Sequence, residues 1–439
     1  MKDRNKIRVR RIKRLVCLFF ACIFVTFAAT PAFAEEPPAK PSGIKACVVY
    51  NIENDVTVYE SWANVKVAPG PTAKLMTAIL AVELLGARLD DTVLVSAAMV
   101  SNVAGNTIGL KMGEHVKLRD MLYAMILCGA NDAAQVIAIT ATGSFEAFVA
   151  KMNARAAELG ASSTRYETLT GLDLGEAKTT VTDTLLIARY AYSLPDLAEI
   201  FACNAYTMGA TDRSEARTLQ TKNRFVTPGD SYCYDGAMGL SYGSTTPSGY
   251  CMAVVVKRAA VSYRCIVLGG EAATDLYRAG KTLLNYAFSA YRYKTILSPL
   301  DVVGEVTVKN AKSSHVTTRP TSSVSVYARA EEEVASRVRT EVVLADREYY
   351  APLPAGTPVG HADVYFDGEW IARVELVTGY DVAQSNWLYF WHTVSEVLLA
   401  ESTLILLGLA CGVGGLILAL SLRRRRESRI ARDDADLDV

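Results

Sequence analysis

From Ser402 to Leu422 the chain runs through 21 residues without a charge, and Arg423 to Arg426 follow at once. As a helix that length crosses the hydrocarbon of a bilayer. The basic cluster sets the orientation, with a cytosolic C-terminus and everything before residue 402 outside. The sequence therefore predicts a single-pass protein of the cell membrane with extracellular folded domains, and residues 423–439 as a cytoplasmic tail disordered over Asp433 to Asp438. Trp387, Tyr389, Phe390 and Trp391, with Glu396 and Glu401, mark 386–401 as an interfacial helix. Gly408 and Gly412 have the G-x-x-x-G spacing through which two such helices form a homodimer, although glycine is frequent in membrane helices for other reasons.

The other end agrees with export. Residues 1–34 carry eight Lys/Arg and one acid, then an apolar run from Leu15 to Ala29 and the small-residue ending Ala32-Phe33-Ala34. This is the pattern of a signal peptide. It leaves a mobile Pro-rich lead at 35–44. The whole chain has 46 basic and 46 acidic residues, so without the signal 38 face 45, a net of −7. Such a balance excludes a nucleic-acid partner. Six cysteines, Cys47, Cys128, Cys203, Cys233, Cys251 and Cys265, belong to the exported part and read as buried free thiols. His115, His315, His361 and His392 show no ligand spacing, so neither a metal nor another cofactor is expected.

Ala68-Pro69-Gly70-Pro71-Thr72-Ala73-Lys74-Leu75-Met76-Thr77 reads as the opening of a buried helix, with Pro71 at its first position and Leu75, Ile79, Val82 and Leu85 on one stripe. The stretch resembles the first motif, Pro-Ala-Ser-x-x-Lys-x-Met-Thr, of the serine D-alanyl-D-alanine carboxypeptidases, the low-molecular-weight penicillin-binding proteins of peptidase family S11. The resemblance implies that Lys74 holds the place of the family's base and that Pro71 replaces the nucleophilic serine. Proline has neither a hydroxyl nor a backbone N–H, so one oxyanion donor goes with the nucleophile. Thr72 is rotated by about 100° from the face carrying Lys74, which disfavours it as a substitute.

Cys128-Gly129-Ala130-Asn131-Asp132-Ala133 resembles the second motif, Ser-x-Asn-Asp-Ala, with Asn131 kept and Gly129 in the serine position. Cys128 is one residue out of register and reads as a core side chain. The third motif, Asp-Gly-x-Lys-Thr-Gly, is aligned on Asp235-Gly236, which puts Met238, Gly239 and Leu240 in place of Lys-Thr-Gly. Met238 does not neutralise a substrate carboxylate, and Leu240 adds bulk where the family has none. Arg258, at the end of the next strand, is a candidate replacement cation.

The resemblance covers about Lys45 to Thr378. It implies an α/β fold, with a β-lactamase/transpeptidase-like domain over 45–295 (a central antiparallel sheet with helices). A small all-β sandwich over 298–380 and the membrane helix at 402–422 follow. Elements expected from periodicity include a hairpin at Ala46 to Glu60, helices at Leu118 to Leu127, Phe145 to Leu159 and Thr179 to Tyr192, paired strands from Gly249 to Gly269, and a long helix at Ala272 to Phe288. Strands of the second domain are expected at Val302 to Lys309, Ser323 to Ala328, Arg337 to Ala345, Ala362 to Phe366 and Trp370 to Thr378.

With three motifs altered, the expected function is a membrane-anchored pseudoenzyme of the peptidoglycan system that binds wall stem peptides or cell-wall enzymes. The alternative is an active carboxypeptidase with a different nucleophile, from Thr72, Cys128 or the hydroxyl-rich Ser241 to Ser248. A third reading leaves the upstream domain as a spacer with its cleft filled.

Overall fold

The computed structural model describes residues 36–172, 175–399 and 401–435, so the expected signal at 1–34 lies outside the described residues. The chain divides into two compact units, Met1–Arg292 with Arg329–Glu331, and Tyr293–Ala328 with Glu332–Val439.

The first unit begins with β1 (Ala46–Asn51) and β2 (Val56–Ser61), an antiparallel hairpin whose turn is closed by Asn51 Oδ1, which accepts from the Asn54 N–H at 2.9 Å. A helical region follows. It comprises α1 (Ala73–Leu85), β3 (Thr92–Leu94), α2 (Ala97–Val100), β4 (His115–Lys117), α3 (Leu118–Cys128), α4 (Asn131–Thr142), α5 (Phe145–Glu158), α6 (Val181–Ser193), α7 (Pro195–Phe201), β5 (Ala205–Met208) and β6 (Arg217–Gln220). The chain then returns to the sheet as β7 (Ala237–Thr245), β8 (Gly249–Arg258) and β9 (Val261–Gly270), and ends in α8 (Ala273–Ala290). Strand order is β2-β1-β9-β8-β7, all antiparallel.

Alternation along the strands builds two layers, because successive side chains leave a strand on opposite faces. Ala46, Val48, Ile266 and Leu268 join the core around α1. Residues of the other parity meet α8, where the Tyr263 hydroxyl donates to Ala287 O at 2.8 Å and its ring meets Phe288 edge-on. Helix α1 is apolar nearly all round, as a helix enclosed by others must be. The stretch Gly70–Arg88 is long and apolar enough to span a bilayer but is mostly buried inside this unit.

Helix ends follow local chemistry. Ser144 caps α5 by accepting from Ala147 N, and Thr180 caps α6 by accepting from Asp183 N. Thr182 Oγ1 bonds Ala63 O and Asn64 Oδ1. Pro195 opens α7 at its first position, where no N–H is required. The lead is not mobile through residue 44, as expected, but docked. Lys40 Nζ lies 3.8 Å from the centre of the Trp62 ring, Ile44 is buried, and the Glu271 N–H donates to Gly43 O. All the described cysteines are free; Cys47, Cys251 and Cys265 are buried, whereas Cys128, Cys203 and Cys233 are only partly so.

The second unit is a β domain made of β10 (Tyr291–Leu297), β11 (Gly304–Lys309), β12 (His315–Pro320), β13 (Val324–Arg329), β14 (Val338–Leu344), β15 (Tyr349–Tyr350), β16 (Pro358–Phe366) and β17 (Glu369–Thr378). Six of them form one sheet, β14-β16-β17-β12-β11-β15, while β10 and β13 form a ribbon. Leu297 and Val324 of the ribbon pack on Val364 and Val374 of the sheet. Periodicity missed β12, whose only apolar inward positions are Val316 and Pro320. Two helices complete the unit, α9 (Asn386–Leu399) and α10 (Glu401–Ala435). Within α10, Leu404–Arg426 is long and apolar enough to cross a membrane. The helix continues through the arginines to Ala435, and the rest of the stretch expected to be disordered, from residue 436 on, lies outside the described residues.

Candidate functional site

Residues Gly70–Thr72 form a 3-10 turn that leads into α1, with Pro71 buried at its centre. The strand β7 crosses directly over it. Ser241 Oγ donates to Pro71 O at 3.1 Å, and a Cβ on Gly243 would lie 2.9 Å from Pro71 Cγ. With a φ of +151°, Gly243 also has a backbone that L side chains rarely adopt. Beneath the turn, a Cβ on Gly171 would fall 1.7 Å from Gly70 O, so glycine alone lets the 168–171 loop reach the turn.

Lys74 lies one turn into this assembly. Its Nζ donates to Thr170 O at 3.1 Å, and among the described residues it makes no ion pair. Burial pushes its ammonium down to about 8, since charge is disfavoured away from water. Lys74 is thus suited to accept a proton, but among the described residues no hydroxyl hydrogen-bonds to it. Thr72, 3% exposed, donates to Pro69 O at 2.7 Å. Within the β7–β8 turn the Thr245 and Ser248 hydroxyls bond each other, and Ser248 Oγ donates on to Gly249 O. Burial pushes the Cys128 thiol up, away from the reactive thiolate, and its Sγ faces Gln220 O.

Gly129 ends α3 and Asn131 begins α4. The Asn131 amide nitrogen donates to Ala104 O at 2.7 Å. Asp132, which sequence reasoning passed over, accepts from the backbone N–H groups of Ile108 and Leu110 and ties their loop to α4. Between this corner and β7 lies a cleft of about 230 Å3, bordered by Cys128, Gly129, Lys222, Asn223, Ser241 and Tyr242. Neither Lys74 nor Asn131 lines this cleft.

The third-motif positions require correction. Met238, Gly239 and Leu240 do not lie against Pro71; Ser241 and Gly243 do. Leu240 is the extra residue of a bulge, as the pairing steps from Gly239↔Val254 to Ser241↔Ala253, and its side chain is buried in the core. Met238 is packed on the same core, and of the three only Gly239 borders the cleft. Counting back from the turn at Gly249, rather than forward from Asp235-Gly236, would have found Gly243. Arg258 is likewise elsewhere, stacked 4.4 Å from the Tyr234 ring centre and 4.8 Å from that of Phe288. It lies five residues beyond the β8 partner of Ser241, roughly 17 Å along the strand. The basic side chain at the cleft is Lys222, from the segment after β6.

An antiparallel sheet with a helical layer, a turn at the head of a buried helix and a strand closing over that turn define a penicillin-binding-protein-like domain. The D-alanyl-D-alanine carboxypeptidase family model matches residues 33–272, over half of the chain, and the chain belongs to that family. The model of the penicillin-binding protein 5 C-terminal domain matches residues 291–384. Among relatives, the D-alanyl-D-alanine carboxypeptidase DacF of Bacillus subtilis is 24% identical over 387 residues, 86% of this chain and 97% of that protein. DacB2 of Mycobacterium tuberculosis is 37% identical over 141 residues, 32% of this chain and 47% of the relative. The crystal structure of the carboxypeptidase DacD from Francisella tularensis superposes with a TM-score of 0.57 at 21% identity, covering 82% of this chain and 98% of that one.

Proposed function

We propose that this member of a cell-wall carboxypeptidase family is exported, anchored by α10 with its folded units outside the cell, and inactive in acyl transfer. Its cleft holds wall stem peptides or a partner protein without cleaving them. The observation that carries this reading is Pro71 in the nucleophile position, with the hydroxyls of Thr72 and Ser241 directed at backbone carbonyls. Loss of a nucleophile alone removes several orders of magnitude in rate. Lys74 and Asn131 remain from the ancestral chemistry, and Gly129 offers no second hydroxyl. A self-association through Gly408 and Gly412 rests on their spacing alone.

One observation favours a second reading, an active carboxypeptidase. Ser241 Oγ, 3.1 Å from Pro71 O, is a hydroxyl at the border of the vacant position. The deciding experiment is intact-mass spectrometry of the full-length protein after incubation with a penicillin, beside Lys74→Ala and Ser241→Ala variants and an assay for released D-alanine. The inactive reading expects no adduct and no D-alanine from folded protein. An adduct lost in both variants overturns it and makes Ser241 the nucleophile.

A further inference from the structure

The strand β14 ends one side of the six-stranded sheet, and among the described residues it pairs only with β16. The pairing runs unbroken from Val338↔Phe366 to Leu344↔Gly360. Just beyond its two ends, the Asp367 N–H donates to Arg337 O and the Ala345 N–H donates to Val359 O. Successive residues of an antiparallel strand turn their backbone groups to opposite sides, so the odd-numbered residues bond β16. The N–H and C=O groups of Thr340, Val342 and Leu344 therefore point out from the sheet, as does the carbonyl of Val338, whose N–H turns back to Ala335 O. Such a row is a template for another strand, and folded proteins commonly blunt it with Lys or Pro. This strand has neither, and Val342, Val343 and Leu344 are 36%, 46% and 39% exposed.

The charges on the strand say what fits the edge. An antiparallel partner must bring outward backbone groups opposite outward backbone groups, and a second β14 does so about a two-fold axis that passes through one of its own residues. An axis at Arg339 or Glu341 sets that charge against its own copy, and one at Val342 leaves both charges facing apolar residues. An axis at Thr340 puts Arg339 of each copy opposite Glu341 of the other, in the non-hydrogen-bonded positions where facing side chains are nearest, and Val338 opposite Val342. Within one chain Arg339 Nη1 and Glu341 Oε1 lie 2.9 Å apart and exposed, so the paired strands join their charges in one network of alternating sign. Glu341 also has the acid Asp363 opposite it on β16, and a second arginine offsets that neighbour.

We propose that β14 pairs antiparallel with β14 of a second copy of this chain, about a two-fold axis at Thr340, and joins two β domains in one continuous sheet. The Thr340 N–H and C=O groups of the two copies bond each other, and each Val342 N–H donates to the facing Val338 carbonyl. This interface uses neither the cleft residues nor Gly408 and Gly412, and does not depend on whether the cleft has lost its chemistry.

The test is sedimentation equilibrium of the full-length protein in detergent up to about 200 μM, beside Arg339→Glu, Glu341→Arg, the double exchange Arg339→Glu with Glu341→Arg, and Thr340→Pro. The unsubstituted chain is expected to dimerise within that range. Either single reversal sets like charges opposite each other at both symmetry-related positions and should weaken the dimer at least about tenfold. The double exchange restores opposite charges across the axis and should restore the dimer. Thr340→Pro removes an outward N–H that the single chain does not use, a change that edge strands tolerate, and should abolish the dimer in protein that melts as a folded chain. A chain that stays monomeric throughout the range would overturn the proposal. So would a dimer that these substitutions leave unchanged, as one formed through the membrane helices would be, or a double exchange that fails to recover what the single reversals lose.

Discussion

Replacing Lys74 by methionine should make the protein more stable at neutral pH, although it removes a side chain of the first motif. Burial pushes the Lys74 ammonium from 10.5 down to about 8, which corresponds to about 3 kcal/mol against the charged form in the fold. Lys74 keeps some exposure, so solvent screening reduces the effective penalty to about half of that. Methionine has a similar reach and avoids the penalty, but forfeits the bond to Thr170 O, a loss of about 1 kcal/mol. The net gain at pH 7 is then about 0.5 kcal/mol, or about 1–2 °C in the melting temperature of a unit this size.

The pH dependence separates this from a general packing effect. Between about 8 and 10.5 the unfolded chain binds the Lys74 proton and the folded chain does not, so the stability of the unsubstituted protein rises with pH across that window. Below the window the penalty is present in full. Lys74→Met lacks this dependence, so its advantage should shrink above pH 8 and reverse towards pH 10.5, leaving the lost hydrogen bond. Calorimetric melts of both proteins at pH 7 and pH 10 measure it. A variant less stable at pH 7, or a difference that does not change with pH, would refute the claim that an unpaired, desolvated charge sits at this position. Retaining a destabilising lysine is the pattern of a site selected for function rather than stability.

Three further outcomes follow from the same geometry. Gly171→Ala would drive a methyl to within 1.7 Å of Gly70 O from a backbone at φ +77°, and should cost about 3 kcal/mol or more, read as a lowered melting temperature. Glu114 is fully buried and takes bonds from both Arg217 Nη atoms, so Glu114→Gln should cost about 3–5 kcal/mol in denaturant unfolding by leaving Arg217 unmatched. Burial raises the Glu114 carboxyl, but the bonds from Arg217, the Lys111 N–H and Thr211 outweigh it and hold the group below its ordinary value. Its stabilisation is therefore complete above the usual carboxylate range and lost as pH falls through the lower folded value, an acid-side slope in the melting temperature that Glu114→Gln should lack. Arg258→Ala should lower stability by about 1 kcal/mol through its contacts with Tyr234 and Phe288 and leave ligand binding in the cleft unchanged in a direct titration.

Much of this molecule is legible from local pattern, for a physical reason. Helix periodicity, caps and chain-breaking prolines act over a few residues, so α3, α5, α6 and α8 lie within a residue or two of where their apolar spacing puts them. The first motif is equally local: Pro71 and Lys74 share one turn of chain, and the missing hydroxyl is visible without coordinates. Placing the third motif is not a local problem. Its register depends on how β7 pairs with β8, and the bulge at Leu240 moves the residues facing Pro71 to Ser241 and Gly243. Arg258 reads from sequence as a cation near the site, but its distance from Pro71 depends on strand length and direction. Lys74 loses its ordinary proton affinity through burial, and its one hydrogen bond goes to Thr170, 96 residues away. The amide oxygens of Asn131 and Gln135 on α4 are buried without partners among the described residues only once distant segments have packed around them. Sequence by itself determined the elements and the absent nucleophile, because both are matters of neighbouring residues; tertiary structure alone decided which side chains meet and which polar atoms remain unmatched, because burial and register are set by segments far apart in the chain.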